Sequence, residues 1–285
     1  MRKLTALLIV LSLTVDQEAY AWGRDGHRIV CGLAEEQLNP AAKKMVERLL
    51  IQGKQLKGGM VSFPDACLWP DDVKHSTRKS TYEHHFINVP DDAMEIDLGR
   101  DCAAANCIAV GVQQALTYLS TRPDGNRASK RQAAALRFLG HYIADLHQPL
   151  HIGNASDWGG NRIKVRLDSK ETNLHALWDY GLPERFNLNY PESIGFLLTV
   201  KHRTADGTVL SWMNESLELA RTHAYMDTTG EPIKNGHVIS PEYLDRNKPI
   251  IIRRLTLAGA RLARLLNDIA DGGQPAVFRF ASIDN

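Results

Sequence analysis

The spacing His27, Val30, Cys31, Ala34, Leu38 predicts a helix over Trp22 to Leu38. Asn39-Pro40 then reads as an N-cap with proline at the first helical position, opening a second helix from Ala41 to Leu50. Gln52 to Met60 reads as a glycine-rich loop, and Phe63 to Val73 as a short helix or irregular turn containing Trp69-Pro70-Asp71-Asp72. His84 to Val89 is short and extended and stops at Pro90, and Asp91 to Cys107 follows as loop. Apolar periodicity returns over Ile108 to Leu119. After a turn at Arg122-Pro123-Asp124-Gly125 a long helix is expected from Ser129 to Leu146. Asp157 to Asn161 is a glycine-rich turn. Ile163, Val165 and Leu167 alternate with Arg162, Lys164 and Arg166, the pattern of one strand of a small hairpin. Asn173 to Tyr180, Ile194 to Val200, Val209 to Ala224 and Tyr243 to Ile269 complete the helices. No repeat, low-complexity block or long linker divides this series. The expectation is an all-α, single-domain helical bundle with one small β-hairpin, spanning residues 22–285.

Residues 1–21 change the picture at the N-terminus. Arg2 and Lys3 precede an apolar run from Leu4 to Val15, and Ala19-Tyr20-Ala21 is a small-x-small cleavage site. The segment reads as a secretory signal, giving a secreted or periplasmic protein whose first mature residue is Trp22, with a free α-amine. No other stretch approaches eighteen consecutive apolar residues, so no membrane span is expected. Four cysteines in an exported chain suit two disulfides. Cys102 and Cys107 close a small loop, which leaves Cys31 with Cys67. The 285 residues hold 34 basic and 33 acidic side chains, a formal charge of +1, so any contact with a polyanion must be local.

Candidate chemistry gathers near element ends. His141 and Asp145 are four apart, which on a helix places them about 40° and about 6 Å apart on one face. Pro149 ends that helix and puts His151 just beyond its tip. His175 and Asp179 repeat the spacing, and His27, Asp71, His85 and the Trp22 amine add further donors. A thiolate-free set of imidazoles and carboxylates suits catalytic zinc with open positions. Nine such residues exceed one ion and would serve three metals with three or four ligands each.

In order along the chain, Trp22, His27, Trp69-Pro70-Asp71, His85-Phe86-Ile87, His141-x-x-x-Asp145-x-His147-Gln148-Pro149-Leu150-His151, Gly159-Gly160-Asn161 and His175-x-x-x-Asp179 resemble the S1/P1 nuclease family, the trinuclear-zinc nucleases of fungi and plants. The resemblance implies a helical bundle of the zinc phospholipase C and S1/P1 type, a bacterial-type member, and a monomer. It implies one zinc on Asp71, His85, His141 and Asp145. A second would lie on Trp22, His27 and Asp145, and a third on His151, His175 and Asp179. It also implies hydrolysis of RNA and single-stranded DNA to 5′-phosphate products, and of 3′-nucleotides. Asp71, Lys74 and Asp145 would act in catalysis, Lys74 against the phosphate. Phe86 would stack the base, Asn88 would face its edge, and Gly159 and Asn161 would line its pocket. The His-Phe-Ile match favours His85 over His84 as the ligand. His147, about 200° from Asp145 on the helix, belongs to an outer layer or the core. A zinc phospholipase C and a non-enzymatic zinc-binding protein are the rival readings.

Overall fold

In the computed structural model the described residues are 22–56, 61–121, 125–200 and 205–273. The signal segment 1–21, most of the expected turn at 122–125 and the end of the expected loop at 52–60 lie outside them.

Helix α1 (Gly23–Glu36) and helix α2 (Pro40–Gln52) form where the periodicity places them, and the Asn39 side chain accepts from the Ala42 amide to start α2. A 3-10 turn, Gly53–Gln55, replaces the start of the expected loop. The stretch read as one short helix or turn is two helices, α3 (Phe63–Ala66) and α4 (Trp69–Lys74), each with a proline in its first turn. His84 and His85 are not extended: they end a 3-10 helix, Lys79–His85, and strand β1 is only Ile87–Val89.

The short α5 (Leu98–Asp101) interrupts the expected loop, and α6 (Ile108–Ser120) and α7 (Gly125–Asp145) follow. A 3-10 turn, Pro149–His151, leads into β2 (Ile152–Asn154), which the sequence does not announce. The expected hairpin is β3 (Lys164–Leu167) and β4 (Lys170–Asn173). α8 (Leu174–Ala176) runs on as a π-helical turn, Leu177–Gly181, then α9 (Leu182–Arg185) and α10 (Ile194–Leu198). α11 (Val209–Leu219), the two-residue β5 (His237–Val238) and α12 (Pro241–Ala270) complete the elements of the described residues.

α7 is the central rod, packed on α1, α2, α6 and α12. Its Leu136, Leu139, Ile143 and Ala144 are buried, each large side chain contributing about 1.5–3 kcal/mol by leaving water. α1 lies against α12 at close range: a Cβ on Gly259 would sit 2.6 Å from Leu33 Cβ. The strands are accessory, yet one pairing matters. β1 and β2 are parallel, with Ile87 opposite Ile152, which brings the segments carrying His85 and His151 side by side. Both disulfides are formed, Cys31–Cys67 and Cys102–Cys107. Among the described residues no helix is long and apolar enough to cross a membrane.

Candidate metal centre

Four ring and carboxylate atoms from three elements converge below the C-terminal end of α7. His85 Nδ1 lies 3.0 Å from Asp145 Oδ2 and 3.6 Å from Asp71 Oδ1. His141 Nε2 lies 3.2 Å from Asp145 Oδ2, 3.4 Å from Asp71 Oδ1 and 2.9 Å from His85 Nδ1. Donors held tetrahedrally at about 2.0–2.1 Å from a zinc ion would be about 3.3 Å apart. The observed separations bracket that value.

The other carboxylate oxygen of Asp145 faces a different neighbour, His27 Nε2, at 3.4 Å. His27 stacks flat on His141 with ring centroids 3.8 Å apart, and His27, Asp71 and His141 form one close group of potential ligands. A further group is His151, His175 and Asp179: His175 Nε2 is 3.2 Å from Asp179 Oδ2 and His151 Nε2 3.8 Å from Asp179 Oδ1. The Trp22 nitrogen approaches this side, 3.4 Å from Asp179 Oδ1, while its buried indole donates to the Ala144 carbonyl at 2.9 Å.

The outer partners fix how the rings point. His141 Nδ1 is bonded to the Cys67 carbonyl (2.7 Å), His151 Nδ1 to the His85 carbonyl (2.6 Å) and His175 Nδ1 to the Gly159 carbonyl (2.7 Å). With Nδ1–H donating outward, each ring turns Nε2 inward, toward the carboxylates. The Cys67 carbonyl is itself anchored by the Cys31–Cys67 bond, and a Cβ on Gly140 would come within 2.5 Å of Cys67 Sγ. Gln148 donates to Asp179 Oδ1 at 2.5 Å and accepts from the Leu150 amide.

Electrostatics ask for positive charge here. Burial keeps His27, His85 and His151 well below the ordinary imidazole value, hence neutral, the form that binds a metal. Burial pushes the Asp145 carboxyl up to about 7 and Asp179 up to about 6. Burial also opposes ionisation of Asp71, but the His141 and Lys74 charges outweigh it and hold its carboxyl well below the usual range. His27 Nε2, Asp145 Oδ1, His151 Nε2 and Asp179 Oδ2 are buried with no hydrogen-bond partner. Uncompensated buried acceptors cost about 1–3 kcal/mol each, more if charged. Their convergence therefore fits cation ligation and does not fit a packed core.

Beside these groups opens a cleft of about 300 Å³ whose lining includes Lys74, Phe86, Asn88, Trp158 and Asn161. Lys74 is nearly buried and its ammonium lies 2.7 Å from Asp71 Oδ1; that pairing outweighs burial and raises its pKa. Gly159, expected in a base pocket, is buried, and its carbonyl is the partner of His175. It sits at φ +61°, and a Cβ there would lie 2.3 Å from the Leu150 carbonyl oxygen, so only glycine allows the approach. His84 points away from the cleft. His147 faces the core, bonded to the Ile143 carbonyl and Arg261.

The sequence model described as S1/P1 Nuclease matches residues 22–271. The chain belongs to the S1/P1 nuclease family. It is 28% identical to Endonuclease 1 of Arabidopsis thaliana over 94% of each chain. It is 29% identical to Nuclease S1 of Aspergillus oryzae, covering 91% of this chain and 95% of that one. With Nuclease P1 of Penicillium citrinum the identity is 27%, over 87% and 97% of the two chains. These relatives are from a plant and fungi, and the expectation of a bacterial-type member is not borne out. Among solved structures, the alpha toxin from Clostridium absonum superposes with a TM-score of 0.46 at 16% identity, over 88% of this chain and 67% of that chain. A nuclease of this family is a hydrolase acting on nucleic acids, and that class of activity is this chain's.

Two features of the site were not read from the sequence. Gln148 needs its tertiary partner Asp179 to become meaningful. Trp158, 57% exposed at φ +57° on the cleft wall, carries one signal, a large aromatic inside a glycine-rich turn.

Proposed function

We propose that the chain is exported, begins at Trp22 after cleavage, and hydrolyses RNA and single-stranded DNA to 5′-phosphate products with three zinc ions. Cleavage of 3′-nucleotides would accompany this as an activity of the same site. The observation that carries the reading is the set of inward-facing, unpartnered buried donors in three adjoining groups. Asp71, His85, His141 and Asp145 would hold one ion, Trp22, His27 and Asp145 a second, and His151, His175 and Asp179 the third. Zinc bound there would supply Lewis acidity toward water and phosphate.

The chain's own groups do the rest. Asp145 offers one oxygen to each of two ligand groups and fixes their separation. Lys74, held protonated beside Asp71, presents positive charge to a phosphate entering the cleft. Phe86, on the same cleft, offers a face for a base. Stacking tolerates any base but requires it unpaired, which favours single strands. Asn88 and Asn161 flank that face with amide groups, and the Asn161 amide is steadied by donation to the Trp158 carbonyl at 2.8 Å.

The test is metal-replete mature protein incubated in parallel with single-stranded DNA, RNA and phosphatidylcholine. Nucleic-acid cleavage with 5′-phosphate ends, abolished by EDTA, is expected. Hydrolysis of the lipid alone would establish the phospholipase reading, and 3′-phosphate ends would overturn the mechanism.

A further inference from the structure

Behind the catalytic cleft, across the 3-10 helix Lys79–His85, lies a second cavity of about 680 Å³ that shares no lining residue with the first. The sorting follows from three residues per turn. Tyr82 and His85 face the cleft, while Thr81 and His84 face the second cavity. Its volume is that of a small-molecule pocket.

The floor is His84 and Tyr142, which close on α6 at Gly111. A Cβ at Gly111 would come within 2.8 Å of His84 Cβ and of Tyr142 Cε2. Phe138 and the half-exposed Tyr118 supply further aromatic surface. Arg78 and Arg131 stand exposed on the rim, and neither has an ion-pair partner among the described residues. Among the described residues no carboxylate lines the cavity. Tyr142 is only 1% exposed, its hydroxyl beside that of Thr81, which also donates to the Arg78 carbonyl at 2.7 Å.

Resting on the nuclease reading, we propose that this cavity is a second nucleotide subsite. It takes a base and phosphate of the same single strand, beyond the bond held in the catalytic cleft. Two guanidinium groups suit a phosphate. Aromatic faces suit an unpaired base of any identity. The ridge between the two cavities is one helix thick, about 10 Å with side chains, which a strand of a few nucleotides can cross. The subsite would thereby make the enzyme prefer longer strands.

The test uses metal-replete mature protein with a dinucleotide and a ten-residue thymidine oligonucleotide as substrates, at several salt concentrations. Arg78→Ala with Arg131→Ala should lower the ratio of kcat/KM for the decamer to that for the dinucleotide at least tenfold, through KM. The slope of log KM for the decamer against log salt should fall by about 0.7, the loss of one phosphate contact. Gln114→Glu, an exposed change that places a carboxylate on the wall, should lower the same ratio without removing any packing. An unchanged ratio and slope in both proteins, with wild-type protein cutting both substrates, overturns the subsite alone. If wild-type protein cuts neither substrate, the nuclease reading fails and takes the subsite with it.

Discussion

Asp145 divides its two oxygens between His85 with His141 on one side and His27 on the other. Neutralising it removes a charge from between two ligand groups at once. Asp145→Asn is expected to lose two zinc equivalents and more than about 100-fold in kcat/KM, beyond the roughly 10- to 100-fold that loss of an outer partner costs. Metal content with turnover, compared across all ligand variants, checks this, and retention of full zinc would sink the bridging role. Gln148 is such an outer partner, so Gln148→Leu should weaken the ion held by Asp179 by about 10- to 100-fold while leaving the fold intact. A chelator titration that matches wild type would show Asp179 needs no orienting bond. Ligands four apart on one helix are visible in sequence because helical geometry alone puts them together. Gln148, Trp158 and the Gly159 carbonyl acquire meaning only from partners elsewhere in the chain. Nothing local distinguishes them from ordinary turn residues.

Elements were legible in proportion to their length. α1, α6, α7 and α12 bury a continuous stripe, so periodicity reveals them, whereas β2 has three residues and exists because β1 lies beside it. The Cys31–Cys67 bond shows how elements share one site. Cys31 is four residues after His27 on α1, and Cys67 is four before Asp71, so the bond ties together the segments that carry both candidate ligands. Its Cys67 carbonyl also orients His141. Replacing both cysteines with serine should cost about 3–4 kcal/mol for a loop of this length, and melting should fall by on the order of 10 °C. Zinc should also exchange faster, and unchanged metal retention would reduce the bond to a plain staple.

The C-terminal helices contain a charged clamp. Glu215 on α11 receives Arg254 and Arg261 of α12, each at 2.7 Å. Burial opposes ionisation of Glu215, but the two arginines outweigh it and lower its pKa below the usual 4.5. A depressed carboxyl contributes stability above its unfolded value that is lost as pH falls through its folded one. Glu215→Gln should therefore melt lower than wild type at pH 7, with the gap closing as pH drops below about 4.5. A gap that stays constant down to pH 3 would show the carboxylate charge is not what stabilises.

At the scale of the whole molecule, a formal charge of +1 leaves polyanion binding to local groups, and on the proposed reading the N-terminus decides whether the centre is complete. The Trp22 indole is buried and anchored to the Ala144 carbonyl, which holds the backbone nitrogen against Asp179 at the floor of the site. Gly26 makes room for this: a Cβ there would lie 2.6 Å from Trp22 Cβ. With Ala21 still attached, that nitrogen is an amide whose lone pair is held in resonance, a poor metal ligand. Once it is freed as an amine it becomes a donor, and its protonation competes with metal, so occupancy rises with pH through the α-amino range. Protein starting at Trp22 is expected to hold three zinc ions and to be active, whereas protein with one additional residue should hold fewer and lose most activity. Its helical content should remain unchanged, because α1 begins only after Trp22. Zinc stoichiometry, nuclease rate and circular dichroism on the two proteins decide the matter, and equal zinc with equal rate would show that the terminal amine is not a ligand.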